Sequence, residues 1–322
     1  MKAVVADPVG GPENLHYLDL PDPQPAEGEA VIKTEAIGVN FVDIYFRSGL
    51  YKAPETPVRL GNEASGIISA VAPGVPFKVG QRVSYAMARG AYAEYAVVPA
   101  KLIVPLPDSV SFEDGAAIVL QGMTAHYLLH STFPLQSGQT CLIHAAAGGT
   151  GLLLVQIAKL LGATVIGTTS TKEKAQLVRE HGADHVILYS ETDFVPEARK
   201  LTGDGGVDVV YDSVGAGTFA KSLDCLRPRG VMVSFGQSSG PVGLVDPLIL
   251  SQKGSLFLTR PSLAHYISDP AELQWRSSDL FQWIGSGKLK PRIYKIYPLR
   301  EAAAAHRDLE ARTTSGKLLL KP

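Results

Sequence analysis

The stretch Ala146-Ala147-Gly148-Gly149-Thr150-Gly151 constrains the fold more than any other, because of what flanks it. Residues 140–144 form a short apolar segment of strand character, and residues 152–162 carry apolar side chains at the close spacing of a helix. A strand, a glycine turn and a helix in succession make a dinucleotide-binding unit. The glycines let backbone N–H groups approach a pyrophosphate, and the helix N-terminus places partial positive charge beneath it. Alanine stands at position 146 where the common pattern has glycine; the turn tolerates it if φ there stays negative. Residues 163–168, 185–189, 207–211, 230–235 and 255–259 read as further strands, with helical segments such as 172–181, 193–201 and 218–226 between them. Alternating strands and helices predict a doubly wound, parallel Rossmann sheet of six strands.

The end of the second strand distinguishes the cofactors. A site for NADH places Asp or Glu there to bond the ribose 2′-hydroxyl. This chain instead has Thr168-Thr169-Ser170-Thr171 followed by Lys172 and Lys174, with no carboxylate before Glu173. Hydroxyls and an ammonium group suit a 2′-phosphate, so the expected cofactor is NADPH, with Ser170 and Lys174 reading that phosphate. Ala147, Gly148, Gly149, Thr150 and Gly151 are expected at the pyrophosphate. Phe235, Gly236 and Gln237 end the fifth strand, on the ligand side of an open α/β sheet.

The first 120 residues have a different texture, with short strands at 30–34, 64–71, 82–87 and 92–98 among glycine and proline turns. They predict an antiparallel, barrel-like β domain. After the sixth Rossmann strand, a helix at 269–286, a strand at 293–297, a helix at 299–310 and a last strand at 317–320 are expected to return to that first domain. The division is therefore 1–120 completed by 262–322, and 121–261.

With 30 Lys and Arg against 31 Asp and Glu, the formal net charge is −1, which offers no electrostatic case for nucleic acid. Cys141 and Cys225 are the two cysteines, too few for a disulfide framework, and a reducing compartment suits them. No apolar run reaches a membrane span and no signal peptide is legible, so a cytoplasmic protein is expected.

Several stretches together resemble one family: Gly38-Val39-Asn40-Phe41-Val42-Asp43, Gly61-Asn62-Glu63-Ala64-Ser65-Gly66, Gly122-Met123-Thr124-Ala125, the glycine turn with His144 before it, Tyr211-Asp212-Ser213-Val214-Gly215, and Gly316-Lys317-Leu318-Leu319-Leu320. The chain resembles the medium-chain dehydrogenase/reductase superfamily, in its zinc-independent quinone oxidoreductase (zeta-crystallin-like) branch. The resemblance implies a GroES-like β domain, a Rossmann domain, a cleft between them that takes NADPH and a quinone, and a homodimer or tetramer. It also implies that Asn40, Tyr45 and Tyr51 line the nicotinamide and acceptor pocket as the catalytic set. Tyr189 would lie near the adenosine phosphate, Thr124 beside the nicotinamide, and Lys317 toward the cofactor unless it is an exposed strand-end lysine. Asp43 and Glu63 read as structural, pairing with a basic group or capping a turn.

Zinc-dependent members of the superfamily carry Cys where this chain has Asn40, and His where it has Asn62. An amide is a poor zinc ligand, so no metal is expected. His126 and His130 lie one helical turn apart and read as packing residues rather than a metal pair. Without a Lewis acid, what remains is direct hydride transfer to an electron-poor acceptor. A quinone is such an acceptor. Reduction of an enone or enoyl thioester on the same scaffold is the enzymatic alternative, and a non-enzymatic crystallin or RNA-binding role that holds NADPH is the other.

Overall fold

The computed structural model describes all residues, Met1–Pro322. They fold into two compact units, Met1–Met123 with Tyr266–Pro322, and Thr124–His265.

The first unit is built on one long strand, Glu29–Val39, whose two halves use different partners along the same edge. Its first half pairs antiparallel with Tyr95–Pro99, and its last residues with the C-terminal strand Lys317–Lys321. Its other edge pairs with Glu63–Val71, and the sheet continues through Arg82–Ala86 to Ile103–Pro105. Ile293–Pro298 closes the opposite side, parallel to Lys317–Lys321. A smaller sheet joins Leu15–Asp19, Lys2–Ala6 and Val58–Arg59. Alternate residues of these strands, among them Ile32, Ile37, Val39, Ala64, Ile68, Val83 and Tyr85, fill one apolar core with Leu318 and Leu320. The segment expected as a strand at 92–98 is shorter, Tyr95–Pro99, with Ala93 making only an isolated bridge to Ala3.

The second unit is a parallel six-stranded sheet in the spatial order His185–Leu188, Thr164–Thr169, Thr140–Ile143, Val207–Asp212, Leu226–Ser234, Phe257–Thr259. Numbered along the chain this is 3-2-1-4-5-6, the order of a Rossmann domain. The strands read as near-continuous apolar runs because helices cover both faces. No helix of the chain is long and apolar enough to cross a membrane.

Candidate functional sites in the two units

The turn after Thr140–Ile143 is tighter than the sequence pattern implies. The left-handed residue is Ala145, at φ 49°, and not the alanine that replaces the first glycine. An alanine in that region costs about 1 kcal/mol, strain of the kind held at working turns. Ala146 donates its N–H to Thr168 O at 3.1 Å, and Gly148 N–H closes on Ala145 O at 2.9 Å. The helix starts earlier than its apolar pattern, at Gly149, so Gly149, Thr150 and Gly151 form its first turn. Gly148 supplies no side-chain cap, and Leu152 N–H is the first to find a helical carbonyl, that of Gly148. The donors of that first turn point out of the helix end. A Cβ on Gly151 would strike Ala145 O and lie 2.8 Å from Ala146 Cα, which explains why glycine stands there.

His144 staples this turn. Its ring meets Thr168 Oγ1 through Nδ1 at 2.9 Å and Ser222 Oγ through Nε2 at 2.9 Å. Ser222 donates to Thr218 O, so His144 is the donor at Nε2 and Nδ1 accepts from Thr168. Burial lowers its pKa, in keeping with a neutral ring. Asp212, also buried, orders the turn of a neighbouring strand by accepting from Val214 N, Gly215 N and Thr218 Oγ1. The sequence reading assigned neither role, because nothing local in a strand-end histidine names its partners.

At the end of Thr164–Thr169, Thr171 caps the helix Lys172–Glu180 by accepting from Lys174 N. Ser190 Oγ bonds Ser170 O at 2.7 Å, and Tyr189 N–H bonds Thr169 O at 3.1 Å, so the loop holding Ser170, which leads into the helix of Lys174, lies against that holding Tyr189. Tyr189 is half exposed, Lys174 is partly buried with its pKa lowered by desolvation, and Lys172 is exposed near Glu191. Phe235 and Gly236 turn back onto Asp212 O, and a Cβ on Gly236 would meet Ser213 O at 2.7 Å; Gln237 follows in the same loop. Thr124 is buried near the end of the helix Phe112–Tyr127. His126 and His130 stack at 4.1 Å, and His130 Nδ1 lies 2.9 Å from His126 O.

In the first unit, strand register brings together residues far apart in sequence. Leu318 opposite Val39 sets Lys317 beside Asn40, and Ala64 opposite Ile37 sets Glu63 beside Gly38. A Cβ on Gly38 would collide with the Glu63 carboxylate, so this glycine makes room for an acid. Lys317 is a buried residue, ion-paired with Glu63 and donating to Asn40 Oδ1 at 2.8 Å. An exposed strand-end lysine is therefore ruled out. Burial lowers its pKa and the Glu63 carboxylate opposes that shift. Asn40 Nδ2 donates to Glu63 Oε2 at 2.8 Å, Leu120 N–H donates to Glu63 Oε1 at 2.6 Å, and Gln121 Nε2 donates to Asn40 Oδ1 at 3.1 Å. The Asn40 amide is thus held at both ends. Gln121, which no sequence motif singled out, is the neighbour that holds it.

Asn40 also precedes the helix Phe41–Arg47, and its backbone N–H donates to Asp43 Oδ2 at 2.9 Å. Asn62 Nδ2 donates to Asp43 Oδ1 at 2.7 Å. Both amides at the positions of zinc ligands in metal-dependent relatives are thus spent on carboxylates, and no group of three or more His, Cys, Asp or Glu is arranged around a common point. Tyr45 and Tyr51 are brought together, ring centroids 5.2 Å apart, with Phe41 and Phe46 against them. Tyr45 is buried and Tyr51 half-buried.

Comparison with known proteins agrees with this geometry. The family model described as zinc-binding dehydrogenase matches residues 149–267, and the alcohol dehydrogenase GroES-like domain matches residues 26–108. A quinone oxidoreductase of Pseudomonas aeruginosa is 48% identical over 315 residues, 97% of each chain. A 2-haloacrylate reductase of Burkholderia is 44% identical over 330 residues, 99% of this chain and 98% of that one. The crystal structure of Escherichia coli quinone oxidoreductase complexed with NADPH superposes with a TM-score of 0.98 at 47% identity, covering 100% of both chains. The two sheets, the glycine turn and these relatives together establish that the chain belongs to the quinone oxidoreductase branch of the medium-chain dehydrogenase/reductase superfamily.

Proposed function

We propose that the protein is a zinc-independent NADPH:quinone oxidoreductase. The observation that carries this is the second unit's ligand end: a glycine helix N-terminus without a side-chain cap, beside a strand end that offers Ser170, Lys174 and Tyr189. The fit to NADPH is physical. The first-turn donors suit a pyrophosphate, Gly151 lets the helix start pack closely against Ala145 and Ala146, and the Thr168–Thr171 stretch carries no acid to repel a 2′-phosphate. A relative of known structure holds NADPH. When bound, the cofactor supplies a hydride; the protein supplies binding, orientation and electrostatics. Ala147, Thr124, Phe235, Gly236, Gln237 and Lys317 complete the set assigned to the cofactor.

The acceptor is assigned to the β unit, where Tyr45 and Tyr51 offer flat aromatic faces and phenolic protons to a quinone. Asn40 shapes that pocket from a position fixed by Lys317, Glu63 and Gln121. The working division of the chain is 1–120 with 262–322, and 121–261. We further assign a cytoplasmic location, which suits two buried free thiols, and a homodimer. The dimer draws support from Phe257–Thr259, a sheet edge whose Phe257 is 61% exposed.

The test is NADPH oxidation with benzoquinone and phenanthrenequinone against crotonyl thioesters and 2-haloacrylates. Quinone turnover that survives a chelator supports the reading. Turnover confined to the activated alkenes favours the reductase named for the Burkholderia relative. Lys174→Glu is expected to raise the apparent KM for NADPH by about tenfold or more, with little change for NADH, since it exchanges attraction for repulsion at the 2′-phosphate. Equal effects on both cofactors remove Lys174 from that role.

A further inference from the structure

Behind Asn40 a second set of buried polar groups runs through the first unit, and the enzymatic reading does not use it. His306, on the C-terminal helix Ala302–Glu310, is fully buried between Tyr92 and Arg47. Arg47 is fixed by a two-pronged pair to Glu310, at 2.9 and 2.6 Å, and by donation of its Nε to Gly10 O. Its remaining Nη1 hydrogen faces His306 Nδ1 at 3.3 Å. A guanidinium only donates, so Nδ1 must accept and the ring proton sits on Nε2. Nε2–H then donates to Tyr92 OH at 2.9 Å, which leaves the phenolic hydrogen one acceptor, Asp43 Oδ2 at 3.2 Å. Every donor in the series points the same way, from Arg47 toward Asp43, and Asp43 in turn accepts the Asn40 backbone N–H and the Asn62 amide.

We infer that His306 is a positioning residue for the site: locked in one tautomer by Arg47, it aims the Tyr92 hydroxyl at Asp43 and so holds Asn40 and the start of its helix in register. The groups that face Asp43 are Asn40 at the start of its own helix, Asn62 just before the adjoining strand, Tyr92, and Lys317 from the last strand, with Arg47, His306 and Glu63 acting on Tyr92. A proton on Asp43 Oδ2 competes with the Asn40 backbone N–H and the Tyr92 hydroxyl, which both donate to that oxygen, while Oδ1 still accepts from Asn62, so turnover falls as pH drops through the Asp43 titration, placed at about 6 by burial. The inference rests on the oxidoreductase reading for its kinetic arm only.

Tyr92→Phe and His306→Leu are expected to lower kcat/KM for the quinone by about tenfold and to move the acid limb up by about one pH unit, because the carboxylate loses its phenolic donor. NADPH affinity, read by fluorescence titration, is expected to stay within about twofold, since the phosphate site lies on the other unit. His306→Gln, whose amide can replace the Nε2–H donor, is expected to recover the wild-type limb. In parallel, amide hydrogen exchange of the peptide carrying Asn40 is expected to quicken in the Phe and Leu variants and not in the Gln variant. A limb and an exchange rate unchanged in folded Tyr92→Phe protein overturn the inference. So do nitrogen chemical shifts of labelled wild-type His306 that place the ring proton on Nδ1, a result independent of any variant's folding. Exchange that behaves as described in a protein without quinone turnover sustains the positioning role and sinks the enzymatic reading alone.

Discussion

Lys317 and Glu63 form the most consequential pair in the β unit, because both charges are buried and paired directly with one another. Removing one partner leaves an uncompensated charge in the interior, whereas removing both leaves a cavity of modest polarity. Lys317→Met is accordingly expected to cost about 3–5 kcal/mol, and the double variant Lys317→Met with Glu63→Gln clearly less than the sum of the singles. Urea unfolding of the four proteins checks this; additive losses show that the pair is not coupled. The lysine was visible in the sequence as a motif residue, but its burial was not. A Gly-Lys-Leu-Leu-Leu run reads equally well with the ammonium in water, and only pairing with Glu29–Val39 decides otherwise.

Elements were legible in proportion to how local their cause is. The Rossmann strands and helices fall within a few residues of their expected ends, since each βα unit is written in short apolar runs and turn residues. The division of Glu29–Val39 between two partners on one edge was not legible, because it depends on a strand that lies at the far end of the chain. The strand Phe257–Thr259 makes a different point. It pairs with Leu226–Ser234 along one edge only, and its exposed phenylalanine is an unusual residue to leave in water at an open edge. In a twofold dimer built on that edge each copy buries the ring, worth about 3 kcal/mol in all, so Phe257→Asp is expected to raise the dimer dissociation constant by about a hundredfold. Light scattering across a dilution series reads it; the wild-type mass at every concentration shows that this edge is not an interface.

At the scale of the whole molecule, two buried groups of the β unit contribute to the acid response with opposite signs. His306 is depressed by burial from 6.5 to about 3, so the unfolded chain takes up its proton first and stability is lost as pH falls from 6.5 toward 3. Asp43 is raised by burial from 3.8 to about 6, so the folded chain takes up the proton first; that contribution is full below 3.8 and is lost as pH rises through 6. Each runs at about 1.4 kcal/mol per pH unit, and between 3.8 and 6 they offset one another. Relative to wild type, His306→Gln is expected to gain stability steadily as pH drops below 6.5, and Asp43→Asn to lose it between 6 and 3.8. Denaturation midpoints measured across that range decide; curves parallel to wild type for both variants mean that neither group titrates on unfolding.

By itself the amino-acid order determined the parallel sheet, the glycine turn that suits a dinucleotide, the acid-free strand end that favours NADPH, and the amides at the two zinc-ligand positions. All of these are local, written within a few residues of where they act. The tertiary structure decided what no window of sequence contains. It put the left-handed strain on Ala145 rather than on the residue that breaks the glycine pattern, and it set Lys317 against Asn40 across 277 positions. It also aligned Arg47, His306, Tyr92 and Asp43 into one directed series. The physical reason is that a buried polar group takes whichever partner the packing of distant strands and helices delivers, and its charge state, tautomer and donor direction follow from that partner.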